Sequence, residues 1–278
     1  MVAADGQELS IELFDPPGAP VATAIIAPAL GVPRKVYSRL AAYLAEAGIL
    51  TLTLDYRGIG ASRPRSLKGF KATFADWGEL DLKAAVAELG KRAPAVPLLW
   101  IGHSAGGQLM GLLPDAPIKA ALFLASGSAF WGHYPGAMRL KLGVLWYLTI
   151  PLLSPLFGYY PMSRIGGGED LPRGVAEQWA QWGRHPDYIG SYQRERSGSP
   201  SYAYAGPLRS YCFTDDNYAP EKAVRALLQL YPGSRPEVIV RRPADLGQGR
   251  VGHFGAFRPA LQESLWREAR DWLLARSS

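Results

Sequence analysis

A serine stands at the centre of "GHSAGG", directly after the apolar run "PLLW" and Ile101. Gly102 and Gly106 lie two residues to either side of Ser104, which is the Gly-x-Ser-x-Gly spacing. A nucleophile on a tight strand-to-helix turn has a strained backbone, and larger side chains at the flanking positions would clash. Such a turn lifts the hydroxyl above a sheet. It also aims a helix amino terminus at the negative charge that develops when an oxygen attacks a carbonyl. The implied chemistry is covalent acyl transfer. A glycine-rich turn is the simpler alternative, but an apolar strand before the motif and a helical "GGQLMGLL" after it favour the nucleophile.

A serine of this kind needs a base, and the chain has four histidines. His103 abuts the serine with its side chain directed elsewhere, while His133 and His185 fall in a segment without strands. His253, in "RVGHFGAF", follows the last strand and precedes the final helix. The order serine, acid, histidine that goes with this elbow selects it. The acid belongs between them, and "YCFTDDNYAP" offers Asp215 and Asp216. Adjacent side chains on extended backbone point to opposite sides, so one of the two faces His253. Asp216, four residues before Pro220, is preferred, with Asp215 as the alternative. Asp245 is a weaker rival and is read as bracing the histidine loop.

The elements that must position these groups alternate. Runs at Val21–Ala29, Gly48–Tyr56, Val96–Gly102, Lys119–Ser126, Leu208–Thr214 and Glu237–Arg242 read as strands, several of them apolar at consecutive positions. That pattern suits a parallel sheet covered on both faces. Helical spacing occupies Pro33–Ala47, a stretch opened by Asp76 and Glu79 as a capping box, Pro220–Tyr231 and Pro259–Arg276. A mostly parallel sheet flanked by helices follows. Residues 127–207 carry no convincing strand and read as a helical insertion, leaving 1–126 and 208–278 as the core.

The 278 residues carry a net charge of +6 from scattered arginines, with no basic stripe and no nucleic-acid signature. The single cysteine, Cys212, excludes an intramolecular disulfide and reads as a core residue of a strand. The amino terminus has neither a basic start nor an apolar run, so no signal peptide is expected and a cytoplasmic location is the default.

These motifs resemble the serine-hydrolase branch of the α/β-hydrolase superfamily. "LDYRGIGASRP" is similar to its Asp-x-Arg-Gly-x-Gly-x-Ser turn, at Asp55, Arg57, Gly58, Gly60 and Ser62. Together with "GHSAGG", "TDD" and "GHFG", it resembles bacterial α/β-hydrolases related to serine aminopeptidases and monoacylglycerol lipases. The resemblance spans Val21 to Arg276 apart from the insertion. It implies the α/β-hydrolase fold with a helical cap, a Ser104–His253–Asp216 triad and no cofactor or metal. It further implies an oxyanion hole from the backbone amides of Ala105 and of Leu30 or Ala29, with Leu30 preferred. "APALG" departs from the His-Gly that many relatives carry at this loop. "DYRG" would brace the loop near the site.

The activity implied is hydrolysis of small apolar or acyl esters. Trp131, Tyr134, Trp146, Tyr147 and Trp179 of the insertion are candidate substrate-binding residues, with packing as the alternative for each ring. An acyltransferase, amidase or thioesterase would use the same serine, and a non-catalytic binding protein is the third reading. Oligomeric state is left open. The charge-free stretch "LGVLWYLTIPLLSPLFGYYP", Leu142 to Pro161, meets the length of a membrane span. Pro151 and Pro155, and its position between two sheet strands, favour one or two short cap helices instead. Shallow membrane contact stays open for whatever part of it is exposed.

Overall fold

The apolar runs become strands and lie side by side. The computed structural model describes residues 1–165 and 167–277. Its central sheet comprises β1 (Ile11–Phe14), β2 (Ala22–Ala27), β3 (Ile49–Leu54), β4 (Leu98–His103), β5 (Ile118–Leu124), β8 (Leu208–Phe213) and β9 (Glu237–Arg241). Their spatial order is β1-β3-β2-β4-β5-β8-β9. All pairs are parallel except β1 with β3, where Ile11 stands opposite Leu54. β2, β3 and β4 are buried at every position, because helices cover both faces. β1 was not expected. Four half-buried residues at a sheet edge leave too short an apolar pattern to read.

The covering helices are α1 (Ser38–Glu46), α2 (Phe74–Asp76), α3 (Lys83–Arg92), α4 (Ala105–Leu109), α9 (Glu221–Leu228) and α10 (Arg267–Leu274). A wide turn, Trp77–Leu82, joins α2 to α3. The helix expected to open at Asp76 starts earlier. Thr73 is its cap: its hydroxyl accepts the Asp76 N–H at 3.2 Å, and the Asp76 carboxylate accepts the Thr73 N–H at 2.7 Å. Asp76 is therefore the third residue of the capping box rather than the first.

Between β5 and β8 lie α5 (Gly136–Val144), α6 (Ile150–Phe157), α7 (Arg173–Arg184) and α8 (Ile189–Ser197). A wider turn, Leu145–Thr149, joins α5 to α6, so Gly136–Phe157 is one long helix of 22 residues rather than the one or two short helices expected. The prolines do not split it. Pro151 sits in the first turn after the wide segment, where a missing amide is tolerated. The segment also contains a two-residue antiparallel ladder, β6 (Tyr159–Tyr160) with β7 (Leu171–Pro172), too short to be foreseen.

This segment meets the loops that follow the carboxyl ends of the sheet strands. Glu169 accepts the Gly60 N–H at 2.8 Å after β3, and its own N–H reaches Gly31 O at 2.9 Å after β2. Tyr188 donates to Gln108 Oε1 at 2.9 Å after β4, and Tyr134 donates to Tyr218 O at 2.9 Å after β8. In an open parallel sheet, that edge is where ligands bind.

Candidate active site

Ser104 is the single residue between β4 and α4, with φ 50° and ψ −110°. A non-glycine residue there stores strain of about 1–3 kcal/mol, which its surroundings must overcome. They do so by close approach. A Cβ on Gly106 would lie 2.0 Å from Ala27 O, and one on Gly102 would lie 2.5 Å from Gly107. The Ser104 N–H donates to Leu124 O at 3.1 Å, and Trp100 Nε1 donates to Gly106 O at 3.1 Å. The turn is fixed from both sides, and the serine itself stays partly exposed. Among the described residues its Oγ has no hydrogen-bond partner. A nucleophile–base contact of this kind often tightens only when substrate arrives.

His253 Nδ1 and Asp216 Oδ2 are 2.8 Å apart, with both side chains largely buried. Asp216 is held in place by its other oxygen, which accepts the N–H groups of Tyr218 at 2.8 Å and Ala219 at 3.1 Å. Asp215 points away from the imidazole. It accepts the N–H groups of Val251 and Gly252 at 2.9 and 3.0 Å and so ties down the loop that carries His253. Both carboxylates serve the same histidine, one through its ring and one through its backbone. Asp245 pairs with Arg242 and caps a turn upstream. The rings of Tyr218 and Phe254 flank His253, at 5.4 and 5.1 Å between centroids.

The loop after β2 carries Ala29 and Leu30. Ala29 N–H donates to the buried hydroxyl of Tyr37 at 2.8 Å, so it is occupied. Leu30 N–H has no partner among the described residues, and neither has Ala105 N–H at the start of α4. These two amides remain available for an anion, whereas the Ala29 amide does not.

Tyr37 and His103 form a bridge that sequence reasoning missed. The Tyr37 hydroxyl lies 2.9 Å from His103 Nδ1, and His103 Nε2 lies 3.0 Å from His253 O. A carbonyl can only accept, so Nε2 carries the ring proton. Nδ1 then accepts from Tyr37, whose oxygen accepts from Ala29. Burial, together with the neighbouring His253, holds the His103 imidazole well below its usual pKa and therefore neutral. One buried chain of hydrogen bonds thus connects the Ala29–Leu30 loop, the elbow and the His253 loop. The available signal was a hydroxyl-bearing residue on the apolar side of the helix expected at Pro33–Ala47.

The aromatic residues of the insertion divide into two groups. Trp146 is fully buried, stands edge-on to Trp179 at 4.4 Å and donates to Ala129 O at 3.3 Å. Tyr134 is buried with its hydroxyl within hydrogen-bond distance of two carbonyls, and its one proton is directed at or shared between them. Packing accounts for both. Tyr147 is exposed, while Trp131 and Trp179 are half-buried.

The "DYRG" turn is a bracing hub. Asp55 accepts Arg34 N–H and Arg34 Nη1 at 2.7 Å each, and Ala61 N–H at 3.0 Å. Arg57 joins buried Asp81 at 2.7 Å to Asp5 at 2.6 Å. Burial pushes the Cys212 thiol up to about 12, so it is inert in the core. Among the described residues no cluster of three or more His, Cys, Asp or Glu is placed to hold a metal ion.

A family model described as serine aminopeptidase, S33 matches residues 18–165. A search of curated proteins gives no significant match. Solved structures are similar in fold across nearly the whole chain. A soluble variant of monoglyceride lipase from Saccharomyces cerevisiae, in complex with a substrate analog, aligns at TM-score 0.68 with 15% identity, covering 99% of this chain and 93% of that one. Est1E from Butyrivibrio proteoclasticus with ferulic acid bound aligns at 0.65 with 18% identity, covering 99% of each. Paleococcus ferrophilus monoacylglycerol lipase aligns at 0.63 with 17% identity, covering 97% and 100%.

Proposed function

Because the chain belongs to the serine aminopeptidase S33 family of α/β-hydrolases, a family of serine hydrolases, we propose that it is a carboxylesterase acting on small apolar esters through Ser104, His253 and Asp216. The observation that carries this reading is the 2.8 Å His253–Asp216 contact beside a strained serine turn, with the Leu30 and Ala105 amides free of partners among the described residues. Ser104 Oγ attacks the ester carbonyl while His253 Nε2 takes its proton. Asp216 holds Nδ1–H, fixes the tautomer and stabilises the imidazolium. The oxyanion receives the N–H groups of Leu30 and Ala105. The leaving alcohol takes the proton from His253, and water then attacks the acyl-enzyme with the same histidine as base.

In this account residues 127–207 act as a cap over a core made of 1–126 and 208–278. Its contacts with the loops after β2, β3, β4 and β8 support that role. Half-buried Trp131 and Trp179 are its candidate substrate-facing rings, while Trp146 and Tyr134 hold its shape and Tyr147 faces outward. An apolar lining of this kind suits an uncharged acyl group. The solved neighbours with a bound substrate analog or ferulic acid agree with a small-molecule ester.

A substrate panel tests the reading. p-Nitrophenyl esters of increasing chain length should be hydrolysed, with matched anilides and thioesters far slower. Faster cleavage of anilides or thioesters would replace the esterase with an amidase or thioesterase. Turnover unchanged in Ser104→Ala would end the whole proposal.

A further inference from the structure

The helix Gly136–Phe157 has two apolar faces. Leu142, Trp146, Ile150 and Ser154 recur every fourth residue and are buried, with Trp146 seated on Gly183 of α7. Leu140, Val144, Leu148, Leu152 and Leu156 recur at the same interval and face solvent, from 42% exposed at Val144 to 75% at Leu156. A soluble helix normally carries polar residues on its outer face. Among the described residues, this is the one helix long and apolar enough to span a bilayer. One face, carrying Leu142, Trp146, Ile150 and Ser154, already packs inside the protein, which argues against a span. The outer face has no partner among the described residues.

Charge identifies the occupant. No Asp or Glu occurs between Asp115 and Glu169. Four cations border the stripe, each over an aromatic ring: Arg139 over Trp131 at 4.9 Å, Lys141 over Tyr218 at 5.9 Å, Arg184 over Tyr147 at 5.7 Å and Arg164 over Phe157 at 5.3 Å. Among the described residues none of the four is in an ion pair. Exposed leucines bordered by rings and unpaired cations match a helix lying in a lipid–water interface, with cations at the headgroups. Two copies packed stripe to stripe would bring these like charges together.

We propose that the outer face of Gly136–Phe157 docks the protein on an anionic lipid surface, with Leu140, Val144, Leu148, Leu152 and Leu156 entering the headgroup boundary. Lys141 packs on Tyr218, whose ring flanks His253. Docking therefore sets the amino-terminal end of the stripe beside the candidate active site and gives it access to esters dissolved in the lipid.

The test is sedimentation with sucrose-loaded vesicles of phosphatidylcholine alone, or with roughly one part phosphatidylserine in four. It uses the full chain and its Ser104→Ala form, so binding is read without turnover. The expected result is association with the anionic vesicles, weakened at high salt, and at least about tenfold weaker association with neutral ones. Leu148→Glu/Leu152→Glu should lose about tenfold or more of the anionic binding. Its circular dichroism and its hydrolysis of soluble esters should stay unchanged. A wild-type chain left in the supernatant with both vesicle types overturns the proposal, as does equal binding by the double variant. A dimer that Leu148→Glu/Leu152→Glu dissociates would make a second copy the occupant and would also overturn it.

Discussion

Tyr37→Phe removes one oxygen from a site where nothing can replace it. The hydroxyl accepts Ala29 N–H at 2.8 Å and bonds His103 Nδ1 at 2.9 Å, and Tyr37 is fully buried. The substitution keeps the ring and its edge contact with Phe257 at 4.8 Å. It leaves one buried donor and one buried acceptor without partners. Each orphaned group costs about 1–3 kcal/mol, so the expected loss is about 2–6 kcal/mol of folding stability. For a chain of this size that lowers Tm by roughly 4–24 °C. A second effect follows at the neighbouring residue. The Ala29 amide is released, the Leu30 amide loses its fixed direction, and kcat should fall by about tenfold while KM changes little. Urea unfolding and steady-state kinetics on a soluble ester measure both. A stability change below about 0.5 kcal/mol with kcat unaltered would refute the bridge.

Three further outcomes are expected. Asp216→Asn should lower kcat by about 10⁴-fold by leaving the imidazole in the wrong tautomer, whereas Asp215→Asn should act mainly on Tm by loosening the Val251–Gly252 amides. Equal kinetic effects from the two would contradict their separate roles. Folding stability should fall as pH drops below about 6.5: the unfolded His103 imidazole takes a proton there and the folded one, held neutral by burial, does not. That stability is fully present above about 6.5 and is lost on acidification at up to about 1.4 kcal/mol per pH unit, and His103→Gln should flatten the slope in urea melts at stepped pH. Gly106→Ala should fail to fold stably, since its methyl would lie 2.0 Å from Ala27 O; soluble expression with a wild-type melting curve would show that the elbow is looser than described.

The sheet was legible because its strands are buried on both faces, and consecutive apolar residues survive as a pattern. β1, β6 and β7 were not, since two to four residues carry too little periodicity to register. Ser104 could be read from its glycines, whose absence of side chains is a steric requirement of the turn. Choosing between Asp215 and Asp216 could not be done from residue type, because both face the same loop and differ only in which atoms they reach. The donor Leu30 was equally ambiguous with Ala29 until the Tyr37 hydroxyl was seen to occupy the latter. His103 was read as a bystander, since a hydrogen bond to a backbone carbonyl 150 residues away leaves no trace in sequence. The apolar helix is longer than expected, and which of its faces is covered was not legible for a similar reason. Sequence shows that both of its faces are greasy, and only packing tells which face the protein covers.

Pre-steady-state hydrolysis of p-nitrophenyl acetate, with mass spectrometry of the quenched protein, tests the central claim most directly. The account predicts a burst of p-nitrophenol approaching one equivalent and an acetyl group on the peptide containing Ser104. Both should be absent in Ser104→Ala, and the burst should be slowed by orders of magnitude in His253→Ala. Acetylation at another residue, or steady turnover in Ser104→Ala, would contradict it.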